Sequence, residues 1–222
     1  MPDPVAAAVL FDLDGTFADT APDLGAALNR LREEQGQPPL PLETLRPHTS
    51  SGVRGMLGVG FGLRPDDTDY PHFRTRFLAH YETGLCQGTT LFPGIPELVD
   101  TLEARGKPWG IVTNKGQRFT LPLLDALGYL KRAACVVSGD SAPRAKPAAH
   151  PLRLACALIG SLPHNCLYAG DDLRDIVAGR SAGMRTVAVR YGYLGDGPRI
   201  EDWGADHLVD HARDIAALAG LA

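Results

Sequence analysis

Two carboxylates one residue apart, Asp12 and Asp14, stand where the apolar run 5–11 ends, and Gly15 and Thr16 follow at once. Negative charges held this close repel, so structure alone rarely favours the arrangement. A divalent cation would compensate them, and a carboxylate beside such a cation can attack phosphorus. An Asp-Gly turn between a strand and a helix explains Asp14 and Gly15 but gives Asp12 no role. Three later segments have the same character. The apolar run 109–113 ends in the hydroxyl of Thr113, the amide of Asn114 and the ammonium of Lys115. Lys146-Pro147 sits just before a helical pattern, where an ammonium can reach across a pocket mouth. A third run, from Leu167, ends in Asp171, Asp172 and Asp175. Each has a plain alternative: a loop start or helix cap at Thr113-Asn114, a solvated lysine at 146, a charged N-cap at Asp171-Asp172. In this order, at successive strand ends, they outline one site.

The segments Asp12-x-Asp14-Gly15-Thr16, Thr113-Asn114-Lys115, Lys146-Pro147 and Gly170-Asp171-x-x-x-Asp175 resemble the motifs of haloacid-dehalogenase-superfamily phosphatases. The likeness lies close to the phosphoglycolate phosphatase group. It spans residues 11–175, and the tail through Tyr191-Gly192-Tyr193 and Trp203-Gly204-Ala205-Asp206 looks related too. The set is specific for the superfamily and much less so for the substrate. The resemblance implies a Mg²⁺-dependent phosphatase acting on small phosphate monoesters. Asp12 would be the nucleophile that forms an aspartyl-phosphate. Asp14 would protonate the leaving alkoxide and later deprotonate the attacking water. Gly15, Thr113, the main chain of Asn114 and Lys146 would hold phosphoryl oxygens. Mg²⁺ would rest on the side chains of Asp12 and Asp171 and the carbonyl of Asp14. Asp175 would orient Lys146 or a metal-bound water, and Asp172 would join the metal or cap a helix. Phe17, where leucine is usual, concerns packing only.

Neighbouring chemistries separate on residues. The dehalogenase branch lacks a second acid like Asp14, and the phosphonate-cleaving branch needs a cap lysine, whereas residues 17–88 contain none. A mutase shares both aspartates and stays open. A non-enzymatic phospho-accepting receiver domain also has paired acids, a Thr and a Lys. Such a domain is about half this length and lacks the last motif, and turnover would tell the two apart. Substrate choice is expected in residues 49–54, where hydroxyls, a helix start and the Arg54 guanidinium suit a carboxylate or a sugar hydroxyl. A capped helix with an exposed arginine reads equally well there. The first expected substrate is 2-phosphoglycolate. The tail also resembles a subgroup that acts on N-acetylmuramic acid 6-phosphate, which is the alternative.

The chain has 222 residues, 44% hydrophobic and 22% charged, ordinary values for a globular protein able to bury a substantial core. A net charge of −4 without a basic run argues against a nucleic-acid surface. No apolar stretch reaches bilayer length. No basic segment or cleavage site accompanies the run 5–11, so no secretory leader is expected. Cys86, Cys135, Cys156 and Cys166 are scattered, which fits reduced thiols in a cytoplasm better than disulfides or zinc. His207 and His211 lack further ligands in the pattern and read as surface residues. The oligomeric state is not legible.

Strand-length apolar runs recur at 5–11, 109–113, 135–138, 166–169 and 186–190, with helical spacing between them, as at Ile95, Leu98, Val99 and Leu102. Gly106, Gly128 and Gly183 stand where helices should end. This alternation predicts an α/β fold, a Rossmann-like doubly wound parallel sheet with ligands at the carboxyl ends of strands. Residues 17–88 break it with three helical stripes and a Pro-rich stop at 37–41. They read as an α-helical cap domain inserted into a core of 1–16 and 89–222. Gly58-Val59-Gly60-Phe61-Gly62 follows a helical pattern and not a strand, so it is not a nucleotide loop.

Overall fold

The computed structural model describes residues 5–195 and 197–221. Its strands are β1 (Ala8–Phe11), β2 (Ala18–Asp19), β3 (Thr90–Leu91), β4 (Trp109–Val112), β5 (Cys135–Val137), β6 (Cys166–Gly170), β7 (Arg185–Val189) and β8 (His207–Val209). Its helices are α1 (Ala21–Glu34), α2 (Leu42–Leu45), α3 (Gly52–Phe61), α4 (Tyr70–Thr83), α5 (Ile95–Ala104), α6 (Gln117–Ala126), α7 (His150–Leu158), α8 (Leu173–Ala182) and α9 (Asp214–Leu218). Six strands form one parallel sheet in the order β5-β4-β1-β6-β7-β8. Successive strand residues point to opposite faces, so β1 serves two cores at once. Val9 and Phe11 join Ile111, Leu167, Leu102, Leu123 and Ile215 on the face covered by α5, α6 and α9. Ala8 and Leu10 join Val112, Tyr168, Leu152 and Ala178 under α7 and α8. Strands buried on both faces must be apolar throughout, which is why they stand out as continuous runs. The expected doubly wound sheet is present. The chain builds outward from β1 through β4 to β5, then returns to the other side of β1 with β6. That reversal opens a crevice at the carboxyl ends of β1, β4 and β6.

Between β2 and β3 the chain is helical, and the two strands pair antiparallel through Ala18–Leu91 and Asp19–Thr90. The three apolar stripes close on one another through Leu24, Leu28, Leu31, Met56, Leu57, Phe77 and Tyr81, and Phe119 of α6 reaches into the same cluster. Gly60 lies within α3, where an added Cβ would meet the Leu28 side chain at 2.7 Å. The glycine-rich run therefore serves close helix packing. No helix among the described residues is long and apolar enough to cross a membrane.

Three details depart from the sequence pattern. The first strand begins at Ala8 and not Val5, because its partner β6 starts only at Cys166. β8 has three residues, one of them exposed Leu208, too short and mixed to register as a run. It leaves His207 half-buried on an edge strand, while His211 is exposed as expected. The two-residue strands β2 and β3 carry no periodic signal at all.

Candidate active site

Asp12 follows the last residue of β1, and its N–H continues the ladder to the Ala169 carbonyl at 2.9 Å. The rigid strand therefore fixes where the carboxylate emerges. Its Oδ1 accepts the Leu13 N–H at 2.7 Å and faces the Lys146 ammonium at 2.8 Å. Both contacts fall on one oxygen. Lys146 also meets Asp175 Oδ1 at 2.7 Å, the Tyr168 hydroxyl at 2.8 Å and the Val112 carbonyl at 3.0 Å. Burial alone would lower the Lys146 pKa, but the carboxylates of Asp12 and Asp175 outweigh it and raise it. Burial, then the charge of Asp175, pushes Asp12 well above the carboxylate range despite Lys146.

Asp171 is fully buried one residue beyond β6. Its Oδ1 accepts from Thr16 Oγ1 at 3.0 Å, and its Oδ2 from the Tyr193 N–H at 3.0 Å and Ser50 Oγ at 2.7 Å. Burial and the nearby Asp175 raise its pKa to about 7. The carboxylate is pressed between two glycines. A Cβ on Gly15, whose φ is +86°, would lie 2.1 Å from Asp171 Oδ2, and one on Gly192 would lie 2.2 Å from Asp171 Cβ. Gly15, expected at the phosphate, packs against Asp171, so the first acidic loop and the last nearly touch there.

Asp12, Asp171 and Asp175 each offer an oxygen, all buried and all within 4.8 Å of one another. Hard oxygen donors with unfavourably buried like charges suit a divalent cation. The side chain of Asp14 takes no part in that group. Its Oδ1 meets Lys115 Nζ at 2.8 Å and Thr20 Oγ1 at 2.5 Å, and Oδ2 has no partner among the described residues. Asp14 raises the Lys115 pKa against the effect of burial, and the ammonium sits 4.6 Å from the ring centre of Tyr81 on α4. Lys115 was legible as a cation after a strand, but only the fold shows it facing Asp14.

Thr113 follows β4 and is buried, and its hydroxyl accepts the Lys115 N–H at 3.1 Å. The side-chain amide of Asn114 clamps the main chain of Lys146, donating to its carbonyl and accepting from its N–H, each at 2.9 Å. Asp172 caps α8: it accepts the Arg174 N–H at 2.8 Å, and Asp175 accepts the Asp172 N–H at 3.2 Å. The Arg174 guanidinium grips Asp172 and reaches the Ser50 carbonyl at 2.7 Å.

Asp12, Asp14, Thr113, Asn114, Lys146, Asp172 and Asp175 line one cavity of about 520 Å³, and its other wall comes from residues 49–53 and from α4. Arg54 is not there. It is exposed on α3 and faces a second cavity of about 390 Å³ beside Leu194 and Trp203. The helix turns that side chain toward α8, and the expected place for it beside the first cavity is taken by residues 49–53. The arginines that do line the first cavity are Arg74, Arg118 and Arg174.

A parallel sheet with a strand-end carboxylate, a buried lysine and an acid trio is the arrangement of a hydrolase of the phosphatase type. Residues 9–189 match the haloacid dehalogenase-like hydrolases, and the chain belongs to that family. It is 43% identical over 208 residues to the N-acetylmuramic acid 6-phosphate phosphatase of Pseudomonas aeruginosa, covering 94% of this chain and 92% of that one. It is 43% identical over 204 residues to the phosphoglycolate phosphatase of Xanthomonas campestris pv. campestris, covering 91% of each. A solved structure of a predicted phosphoglycolate phosphatase from Haemophilus somnus superposes with a TM-score of 0.84 at 26% identity, over 96% of this chain and 97% of that one.

Proposed function

We propose that the protein hydrolyses small, carboxylate-bearing phosphate monoesters through a phosphorylated Asp12, with 2-phosphoglycolate as first substrate. One observation carries this reading: the Asp12 carboxylate, held on Oδ1 by Lys146 and Leu13, faces the cavity beside two further buried acids. Asp12 attacks phosphorus and the ester P–O bond breaks. Asp14 gives a proton to the departing alkoxide from Oδ2, the oxygen that Lys115 and Thr20 leave open. Water then attacks the phosphoryl group, Asp14 takes its proton, and phosphate leaves with Asp12 restored. Lys146, the Thr113 hydroxyl and the main chain of Asn114 offset the charge on the phosphoryl oxygens. Asp175 and Tyr168 hold Lys146 in place. Asp12, Asp171 and Asp175, with the carbonyl of Asp14, would hold Mg²⁺, which when bound neutralises charge at the transferring group. Residues 17–88 act as a cap that excludes water, as their own apolar cluster supports. The free cysteines support a cytoplasmic setting.

The cavity favours a second substrate reading. About 520 Å³ lined partly by Phe77, Tyr81 and Phe119 is far more than a two-carbon acid fills, and it suits a sugar ring such as that of N-acetylmuramic acid 6-phosphate. Phosphate release from both esters and from hexose phosphates, with Mg²⁺ and after chelation, tests the proposal. Turnover of one of the two acids, abolished by chelation, supports it. Equal turnover of all esters, or turnover in excess chelator, overturns the substrate or the metal assignment respectively.

A further inference from the structure

The cavity's charges pair off almost completely. Lys146 is shared by Asp12 and Asp175, Lys115 meets Asp14, and Arg174 meets Asp172. Asp140, at the same rim, accepts the Gln117 N–H at 3.0 Å where α6 begins. Two cations remain. Arg74 and Arg118 line the cavity, and neither has an ion pair among the described residues.

They come from two different elements, α4 and α6. Arg74 shares a face of α4 with Phe77 and Tyr81, three and seven residues on, and all three border the cavity. Arg118 stacks on Phe119, its guanidinium carbon 4.3 Å from the ring centre. Phe119 in turn packs on Tyr81 with ring centres 5.3 Å apart. Arg118 thus lies beside this aromatic contact on the side of α6, while Arg74 borders the same cavity from α4.

We propose that Arg74 and Arg118 form a second anion subsite that holds a carboxylate of the substrate away from its phosphate. The inference rests on the phosphatase reading above and deepens it. A carboxylate offers an oxygen to each guanidinium, and such charge-assisted bonds have a planar geometry that arginine matches. Because one arginine rides on α4 and the other on α6, an acidic substrate draws the insert down as it binds. A neutral analogue gains neither bond, so the subsite favours the acid without acting on the neutral ester.

Matched pairs test this: 2-phosphoglycolate against ethyl phosphate, and N-acetylmuramic acid 6-phosphate against N-acetylglucosamine 6-phosphate. In the pair whose acid the wild type hydrolyses better, Arg74→Ala and Arg118→Ala should each cut kcat/KM for the acid by roughly tenfold or more. The neutral member should stay within about twofold, and Arg54→Ala should leave the preference intact. Binding is read separately by calorimetry in an Asp12→Asn background, where each Arg→Ala change should weaken the acid and spare the neutral ester. Equal losses on both members, or an unchanged preference in turnover and binding, overturn the subsite. If the wild type releases no phosphate yet the binding preference disappears with the arginines, the subsite stands and the phosphatase reading falls.

Discussion

Asp12→Asn retains shape and loses the attacking charge, so turnover should fall by about a thousandfold or more with the fold intact by circular dichroism. Full activity in a folded, Mg²⁺-saturated variant would place the chemistry elsewhere. Asp171 ties metal to pH. Its folded pKa of about 7 lies above the ordinary carboxylate range, so the stability it contributes is complete in acid and lost as pH rises through 7. The metal-free protein should therefore melt lower at pH 8 than at pH 5. Mg²⁺ should raise the melting temperature more at pH 8, where protons no longer compete for the carboxylates. A flat melting profile in chelator would contradict that environment. Gly15→Ala should cost both stability and Mg²⁺ affinity, about 2 kcal/mol or more in unfolding free energy, since a Cβ cannot share space with Asp171 Oδ2. At this scale the acids and Lys146 were legible because phosphate chemistry needs those residue types at strand ends. That Arg54 borders the second cavity was not legible, for a physical reason. A helical stripe reveals which side packs inward, but not which part of its rim overlooks a cavity formed with a distant part of the chain.

At the scale of elements, the segment before α3 is bolted to the start of α8. Ser50 Oγ donates to Asp171, and Arg174 donates to the Ser50 carbonyl. Ser50→Ala removes one bond while leaving the main chain free to dock. Amides of residues 46–51 should exchange with deuterium faster in this variant, and hydrolysis of an aryl phosphate should change little. An unaltered exchange pattern would mean that Arg174 alone holds the segment. The α8 capping box was half visible beforehand: Asp172 and Asp175 have the right spacing for it, yet the same spacing serves a metal. Sequence cannot choose between those uses, because both draw on the same acid types. In the structure Asp172 accepts the Arg174 N–H, and Asp175 meets both the Asp172 N–H and Lys146.

For the whole molecule, the continuously apolar strands made the sheet legible, while β2 and β3 escaped because two residues carry no period and β8 because its three residues mix exposed and buried positions. The sheet order has a consequence for how the protein is made. β1 lies between β4 and β6 and is the first of the three to leave the ribosome. One flank stays open until Trp109–Val112 is synthesised, and the other until Cys166–Gly170 follows. Through most of translation this four-residue apolar strand is an unpaired sheet edge, the kind of surface that recruits other chains. Nascent chains stalled before residue 166 should accordingly bind holdase chaperones, and release them once the sixth strand has emerged and the central strand is enclosed.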